Sequence, residues 1–218
     1  MKLLIISDIH GSIDKLKELS EKETEADLLL FAGDLTHFGN RKQALPVVEI
    51  LRSFRIPVLA IHGNCDRAGV ADMLAEEGIS AHGKLVTMAG IPFIGLGGSL
   101  PAPIPTPSTY SEKEAASVLE SIADDGIAGR AWILLVHQPP AESEADRVAA
   151  GKHVGSTSVA EFIRNYRPSL VCTGHIHESY SVSSFGESLL VNPGSLKDGR
   201  YAVAEFGDGE VSAELRRL

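Results

Sequence analysis

Five short, almost unbroken apolar runs set the frame of this 218-residue chain: Lys2 to Ser7, Asp27 to Ala32, Pro57 to Ile61, Trp132 to Val136 and Leu170 to Thr173. Apolar residues at both parities fit strands buried on both faces, and a sheet covered on both faces needs other elements packed over it. The intervening segments supply them. Ser12 opens a stretch with Ile13, Leu16 and Leu19 at helical spacing, and Asn40 to Phe54 turns Val47, Val48 and Leu51 to one side. Ala68 to Glu77 predicts a short helix ending near Gly78. Pro46 breaks the pattern of the second helix and predicts either its true first turn or a kink. The first part of the chain therefore reads as βαβαβ.

Beyond Gly78 the period changes. Lys84 to Met88 and Ile91 to Leu96 read as strands around Ala89-Gly90, and Gly97 to Pro107 is a loop carrying Pro101, Pro103, Pro105 and Pro107. Ser111 with Glu114 predicts a capping box for a helix bearing Ala115, Val118, Leu119 and Ile122. Ser158 with Glu161 predicts another, for a helix that stops before Pro168. Gln138 to Gly155 has no clear period. Short strands are expected near Tyr180 to Ser184, Ser188 to Val191, Tyr201 to Phe206 and Glu210 to Leu215. No repeat, low-complexity segment or composition break marks a linker, so residues 1–218 are expected to form one domain, a layered α/β sandwich.

With 44% apolar and 22% charged residues the chain has the mix of an ordinary globular protein, which excludes disordered, collagen-like and coiled-coil classes. The net charge of −9 (20 basic against 29 acidic residues) argues against a broad basic surface, so nucleic acid is not an expected partner. The longest apolar runs, such as Ala131 to Val136, fall far below the roughly 20 residues of a bilayer span, so no membrane association is expected. The stretch after Met1 is too short for a secretory signal, and a cytoplasmic location is expected. Cys65 and Cys172 form no CxxC pair, so any metal is expected on His, Asp, Glu or Asn.

Chemistry gathers where the buried strands end. The first ends in Asp8-Ile9-His10, the second in Gly33-Asp34, the third in His62-Gly63-Asn64-Cys65-Asp66, the Trp132 strand in His137, and the Leu170 strand in Gly174-His175-Ile176-His177. Open α/β sheets bind ligands at such carboxyl ends. Extended residues two apart point the same way, so Asp8 with His10 and His175 with His177 can each present two donors to one side. Gly33, Gly63 and Gly174 precede donors and permit tight backbone geometry there. Carboxylate, amide and imidazole together suit a hard-to-intermediate divalent ion. A single His at a strand end is commonly structural, but seven donors over five strand ends make a set.

These five segments, in this order, resemble the signature of the calcineurin-like metallophosphoesterases: Asp-x-His, Gly-Asp, Gly-Asn-His-Asp, a His after a strand, and Gly-His-x-His. The resemblance runs from Asp8 to the Asn192-Pro193-Gly194-Ser195 turn and is closest to the small prokaryotic branch whose third motif reads Gly-Asn-Cys-Asp, as Gly63 to Asp66 do. It implies a four-layer αββα sandwich of two mixed β-sheets flanked by helices, with two divalent metal ions in a cleft at its edge. Mn²⁺ is the first expectation, with Fe, Zn, Ni and Mg as alternatives. By position, Asp8, His10, Asp34 and His177 would hold one ion, and Asp34, Asn64, His137 and His175 the other, with Asp34 as the bridge. With only Asp8 and Asp34 anionic, such a site would keep roughly +2, enough to attract a phosphate to an acidic protein. The implied activity is hydrolysis of a small phosphoester by a metal-bridging hydroxide, with Asn64, Cys65 and Asp66 as the catalytic segment.

The departure from the pattern is Cys65, which stands where most relatives carry a His thought to stabilise or protonate the leaving group. A thiol, with a pKa of about 8.5 against about 6.5 for imidazole, suits that role poorly, which favours phosphodiesters over phosphomonoesters. The alternative role for Cys65 is a small buried filler. Asp66 would normally orient the missing His. Val136 also stands where many relatives have Gly. His37 and His153 are candidates for the cleft and its rim, with Lys152 and Arg147 nearby; His62 is open between two orientations, and His82 reads as a surface loop residue. Two other functions compete: a metal-binding scaffold of the same fold without turnover, and a nuclease, which a basic or aromatic groove would mark. The loops at Pro101 to Pro107 and Ala141 to Gly155 are expected to set specificity.

Overall fold

The computed structural model describes residues 1–22, 25–123, 127–207 and 210–218. Strands β1 (Lys2–Ile6), β2 (Leu28–Phe31) and β3 (Val58–Ala60) alternate with helices α1 (Ile13–Lys22), α2 (Arg41–Ser53) and α3 (Ala68–Glu76). There follow β4 (Leu85–Met88), β5 (Ile91–Leu96), α4 (Glu112–Ile122), β6 (Ile133–Val136), α5 (Thr157–Tyr166) and β7 (Leu170–Cys172). The chain closes with β8 (Ser181–Phe185), β9 (Ser188–Asn192), β10 (Arg200–Phe206) and β11 (Val211–Arg217), and single 3-10 turns at His177–Ser179 and Leu196–Asp198. One sheet has the order β11-β10-β1-β2-β3 and the other β4-β5-β6-β7-β9-β8, both mixed.

The double-sided apolar strands divide their residues between layers. Leu4, Ile6, Leu29 and Phe31 pack outward with α1 to α3, whereas Leu3, Ile5, Leu28 and Leu30 face Phe93, Ile133, Leu135 and Leu170 of the other sheet. On that second sheet Leu134, Val136 and Val171 pack against α4 and α5. The result is an αββα sandwich with three apolar layers, as the resemblance implied. The carboxyl ends of β1, β2 and β3 from one sheet and of β6 and β7 from the other come together at one edge.

Two local expectations are corrected. The cap of α5 is Ser156, whose hydroxyl accepts from Val159 N–H, not Ser158. The Glu112 carboxylate accepts from the Thr157 and Ser158 N–H groups and the Ser156 hydroxyl, and the Ser158 hydroxyl donates to Glu112 O. An acid from the start of α4 thus serves the orphan amides at the start of α5, where the sequence suggested Glu161. Pro46 lies in the second turn of α2, which starts after Asn40 in a capping box with Gln43.

Since Pro46 has no N–H, it leaves the Lys42 carbonyl without its helical donor. Pro46 is exposed, so Pro46→Ala adds that bond without opening a cavity. Chemical denaturation is expected to show a gain of about 1–2 kcal/mol, after allowing for the greater freedom of the unfolded Ala chain.

Candidate metal centre

The loops after β1 and β2 run side by side: Asp8 N–H donates to Gly33 O at 2.9 Å, His10 N–H to Asp34 O at 3.0 Å and Gly11 N–H to Leu35 O at 2.9 Å. This pairing turns the backbone over the strand ends, and Asp8, His10, Asp34 and His175 all have left-handed φ values of 55°, 46°, 59° and 68°. Asp, and to a degree His, tolerate this region better than most side chains, yet each such residue stores about 1–3 kcal/mol. Gly33 has φ 103°, and a Cβ there would stand 2.5 Å from His137 Nδ1. Gly63 and Gly174 act differently from expectation: neither has a positive φ, but a Cβ would collide with Asp34 Oδ1 at position 63 and with Ser7 Oγ at position 174. They are needed for lack of volume.

Six of the seven expected donors lie within 3.7 Å of another at this edge, and the His175 ring packs beside His137. His177 Nε2 lies 3.1 Å from Asp8 Oδ1 and 3.2 Å from His10 Nε2, and His10 Nε2 lies 3.7 Å from Asp8 Oδ1. Asp34 Oδ2 stands between this lobe and a second one, 3.7 Å from His10 Nε2 and 3.6 Å from His137 Nε2. His137 Nε2 is 2.9 Å from Asn64 Oδ1, its ring centroid is 5.2 Å from that of His175, and His175 N–H donates to Asp8 Oδ2 at 3.1 Å.

The donor chemistry fits cations. His137 Nδ1 is 2.7 Å from Ala32 O and His10 Nδ1 is 3.3 Å from Thr36 O. A carbonyl can only accept, so each Nδ1 carries a proton, which would leave each Nε2 as the ring atom offered to a cation at the centre. There these nitrogens face acceptors: Asn64 Oδ1 for His137, and both carboxylates for His10. With Nε2 unprotonated such crowding is repulsive until a cation lies between the atoms. Two donors about 2.1 Å from one ion stand roughly 3.0–3.4 Å apart at octahedral or tetrahedral angles, close to the separations here.

The protonation pattern has the same origin. Burial pushes the Asp34 carboxyl up to about 7, with Asp8 and Asp66 adding to the rise and His137 opposing it. Burial pushes His10 down to about 4 and His175 to about 3. The hydrogen bond to Asp8 raises His177 instead. Burial also opposes the charge of Asp8, but the bond from His177 and the fields of His137 and His177 hold its carboxyl below the usual range. For Cys65, burial and then the charge of Asp34 push the thiol well above its ordinary value.

The remaining candidates fall in distinct places. Asp66 is fully buried and accepts from Leu35 N–H, Thr36 N–H, the Thr36 hydroxyl and Gly63 N–H at 2.8–3.0 Å, so its carboxylate holds backbone where the resemblance suggested it would orient a side chain. Sequence reasoning missed Thr36 and Ser195, whose hydroxyl donates to Asp8 O at 2.7 Å; their partners are too distant along the chain for any local pattern to signal. His37 is exposed with its ring 5.6 Å from that of His10. His62 packs behind the centre against His82 at 4.6 Å, and burial lowers it to about 3. His82 is a half-buried structural residue rather than a surface one, its Nδ1 accepting from Gly97 N–H at 2.9 Å. His153 bonds Asp146 at 2.5 Å; Arg147 pairs with Glu144 at 3.6 Å and Lys152 is exposed.

Residues 1–209 match the sequence profile of the calcineurin-like phosphoesterase superfamily domain. An uncharacterised protein of Methanocaldococcus jannaschii is 32% identical over 197 residues, 88% of each chain. The phosphodiesterase YfcE of Escherichia coli is 37% identical over 90 residues, which span 37% of this chain and 48% of that protein. The crystal structure of a dimetal phosphatase from Danio rerio shares the fold at 12% identity, with a TM-score of 0.68 over 100% of this chain and 96% of that one.

A carboxyl raised to about 7 keeps its proton below that pH and releases it when a cation binds, so divalent-ion affinity is expected to be full above about 7 and to fall below it. His177, also raised, adds to the competition, whereas His10 and His175 are already neutral down to about 4. Each displaced proton steepens the fall by about tenfold per pH unit. Calorimetric Mn²⁺ titrations at pH about 6.5, in buffers of different ionisation enthalpy, count the protons. Binding without proton release would contradict the assignment of Asp34.

Proposed function

The chain belongs to the calcineurin-like phosphoesterase superfamily, and from that membership we propose that it is a binuclear metal-dependent hydrolase of small phosphoesters, with phosphodiesters preferred. The observation that carries the proposal is Asp34 Oδ2, 3.7 Å from His10 Nε2 on one side and 3.6 Å from His137 Nε2 on the other. Asp8, His10 and His177 would hold one ion and Asn64, His137 and His175 the other, with Asp34 shared. When bound, two divalent ions would supply Lewis acidity toward phosphate oxygens and a water nucleophile at neutral pH. We take Mn²⁺ as the first choice of ion and keep the cytoplasm as the location and a single domain as the organisation. Among the described residues no helix is long and apolar enough to cross a membrane.

The chain's own groups prepare the site for an anion. The Ala32 and Thr36 carbonyls hold a proton on Nδ1 of His137 and His10, which would leave Nε2 of each ring to face a cation. Asn64 adds an uncharged oxygen. Asp8 and Asp34 are then the only anionic ligands among the seven, and the loaded site stays positive within an acidic chain. Cys65, with its thiol pushed up by burial, holds its proton too tightly to serve as an efficient acid for a poor leaving group. The preference for diesters rests on that point. The name of the Escherichia coli relative, a phosphodiesterase, supports the diester part of this proposal, and that of the Danio rerio protein, a dimetal phosphatase, supports two metals and phosphoester hydrolysis without a diester preference.

Elemental analysis of the purified protein is expected to find about two ions per chain, and the same preparation with added Mn²⁺ to cleave a chromogenic phosphodiester faster than the matching monoester. Asp34→Asn is expected to lower metal occupancy and cut hydrolysis by at least about a hundredfold. Tight metal with no turnover of either ester would favour the scaffold. Cys65→His is expected to raise monoester turnover by about tenfold or more; an unchanged rate would place Cys65 outside leaving-group chemistry.

A further inference from the structure

His177 stands further into solvent than Asp8, His10, Asp34 or His137: its side chain is 37% exposed, and theirs are 8% exposed or less. It sits on a single 3-10 turn, His177–Ser179, that has no side-chain cap. Its Nε2 nevertheless lies 3.1 Å from Asp8 Oδ1, on the loop after a strand of the other sheet. Arg200 supplies the missing support. It opens β10, the antiparallel neighbour of β1, and its Nη1 donates to the His177 carbonyl at 3.2 Å. Its Cζ lies 3.7 Å from the centroid of the Tyr180 ring, at the end of the same turn. Its backbone N–H donates to Ser195 O at 3.2 Å, and the Ser195 hydroxyl donates to Asp8 O at 2.7 Å. Together with the His177–Asp8 pair these contacts close a ring through His177, Arg200, Ser195 and Asp8. A Cβ at Gly194 would stand 2.9 Å from both Arg200 Cδ and Tyr180 Cβ, so the Asn192-Pro193-Gly194-Ser195 turn makes room for the stack.

We propose that Arg200 is a positioning residue: stacked on Tyr180 and bonded to the His177 carbonyl, it holds the His177 imidazole over Asp8. It thereby sets the affinity of the ion that Asp8, His10 and His177 would share and leaves the other ion alone. This rests on the metal-centre assignment above. The sign of the effect separates positioning from charge. A guanidinium beside a ligand's backbone repels a cation, so loss of its charge alone would tighten ion binding. Loss of a group that orients a ligand loosens it, by about 10–100-fold. A planar guanidinium donates from its edge while its face stacks on a ring, and an ammonium cannot combine the two in that way. Lys at position 200 therefore keeps the charge and loses the brace.

The test is equilibrium dialysis of wild type, Arg200→Ala, Arg200→Lys, Tyr180→Ala and Arg164→Ala against graded Mn²⁺, with metal counted per chain and electron paramagnetic resonance spectra taken of the same samples. Arg164 lies over the Phe185 ring at 5.2 Å and serves as the control for removing a stacked arginine elsewhere. Wild type and Arg164→Ala are expected to bind about two ions and to show the spectrum of a spin-coupled Mn²⁺ pair. Arg200→Ala is expected to need at least about tenfold more Mn²⁺ for one ion with the other unchanged, so that at intermediate Mn²⁺ it shows the spectrum of an isolated ion. Arg200→Lys and Tyr180→Ala are expected to shift the same way by a smaller factor, and the lysine variant carries the comparison if the alanine variant does not fold. Unchanged or tighter binding, or equal weakening of both ions, would overturn the positioning role and leave the metal centre standing. Wild type that binds fewer than two ions would overturn the metal-centre assignment and this proposal with it.

Discussion

Asp66 lies beneath the centre with no exposure, and its carboxylate accepts four hydrogen bonds from two strand ends: Leu35 and Thr36 after β2, and Gly63 after β3. Burial pushes this carboxyl up while those four bonds work to keep it charged. Hydrogen bonds to a charged group contribute about 1.5–3 kcal/mol each, so the set is large enough to hold Asp34 in a left-handed conformation that costs about 1–3 kcal/mol. The backbone of the same residue is also gripped, because Asp66 O accepts from the Ser108 hydroxyl. This clip and the Cys65 N–H bond to Asp34 Oδ1 together hold the loops that carry Asp34 and Asn64 in register.

The second requirement is that two separate sheets deliver their ends to one place. The apolar layer between the sheets sets their spacing, but the alignment at the edge comes from bonds that cross between them. His137, from the second sheet, donates through Nδ1 to Ala32 O of the first. His175 donates its N–H to Asp8, and Leu196 N–H donates to Ser7 O, where Ser7 and Ser195 form an isolated parallel bridge. All four residues with left-handed backbones at this edge, Asp8, His10, Asp34 and His175, accept or donate bonds that tie one loop to another. Strain is tolerated because the surroundings over-determine it, a pattern typical of functional sites.

Much of this was legible because it is written in short-range code. Apolar runs marked the strands, the Ser111-Glu114 capping box marked α4, and each strand end carried its donor in the next one to five residues. What escaped was the long-range part. The cap of α5 lies two residues earlier than Ser158 because Glu112, 45 residues away from Thr157, supplies the acceptor. His82 resembled a surface residue because nothing local shows that Gly97 N–H will meet its ring. Residues 138–155 showed no period because their order comes from Asp146, whose buried carboxylate accepts from Glu142, Ser143 and Gly155 N–H groups and pairs with His153. A loop wound around one acceptor has no repeat to detect.

The same loop connects the expected specificity loops to the proposed ion ligands. Gln138 follows His137 directly, and its side chain accepts from Leu100 N–H at 3.1 Å and donates to Val154 O at 2.9 Å, joining the Pro-rich loop to residues 138–156. At its far end this segment reaches the turn that carries His177: the Ser179 hydroxyl donates to Arg147 O, and Ala149 N–H donates to Glu178 at 3.0 Å. Four alternating prolines stiffen the other wall, leaving Ile104 73% exposed at its tip. The backbone that shapes the walls thus also sets the height of His177 and the seat of His137. Loops that choose the substrate are usually free to vary without touching the chemistry, but here a rim change that shifted Arg147 or Val154 would reach the proposed ligands through these bonds.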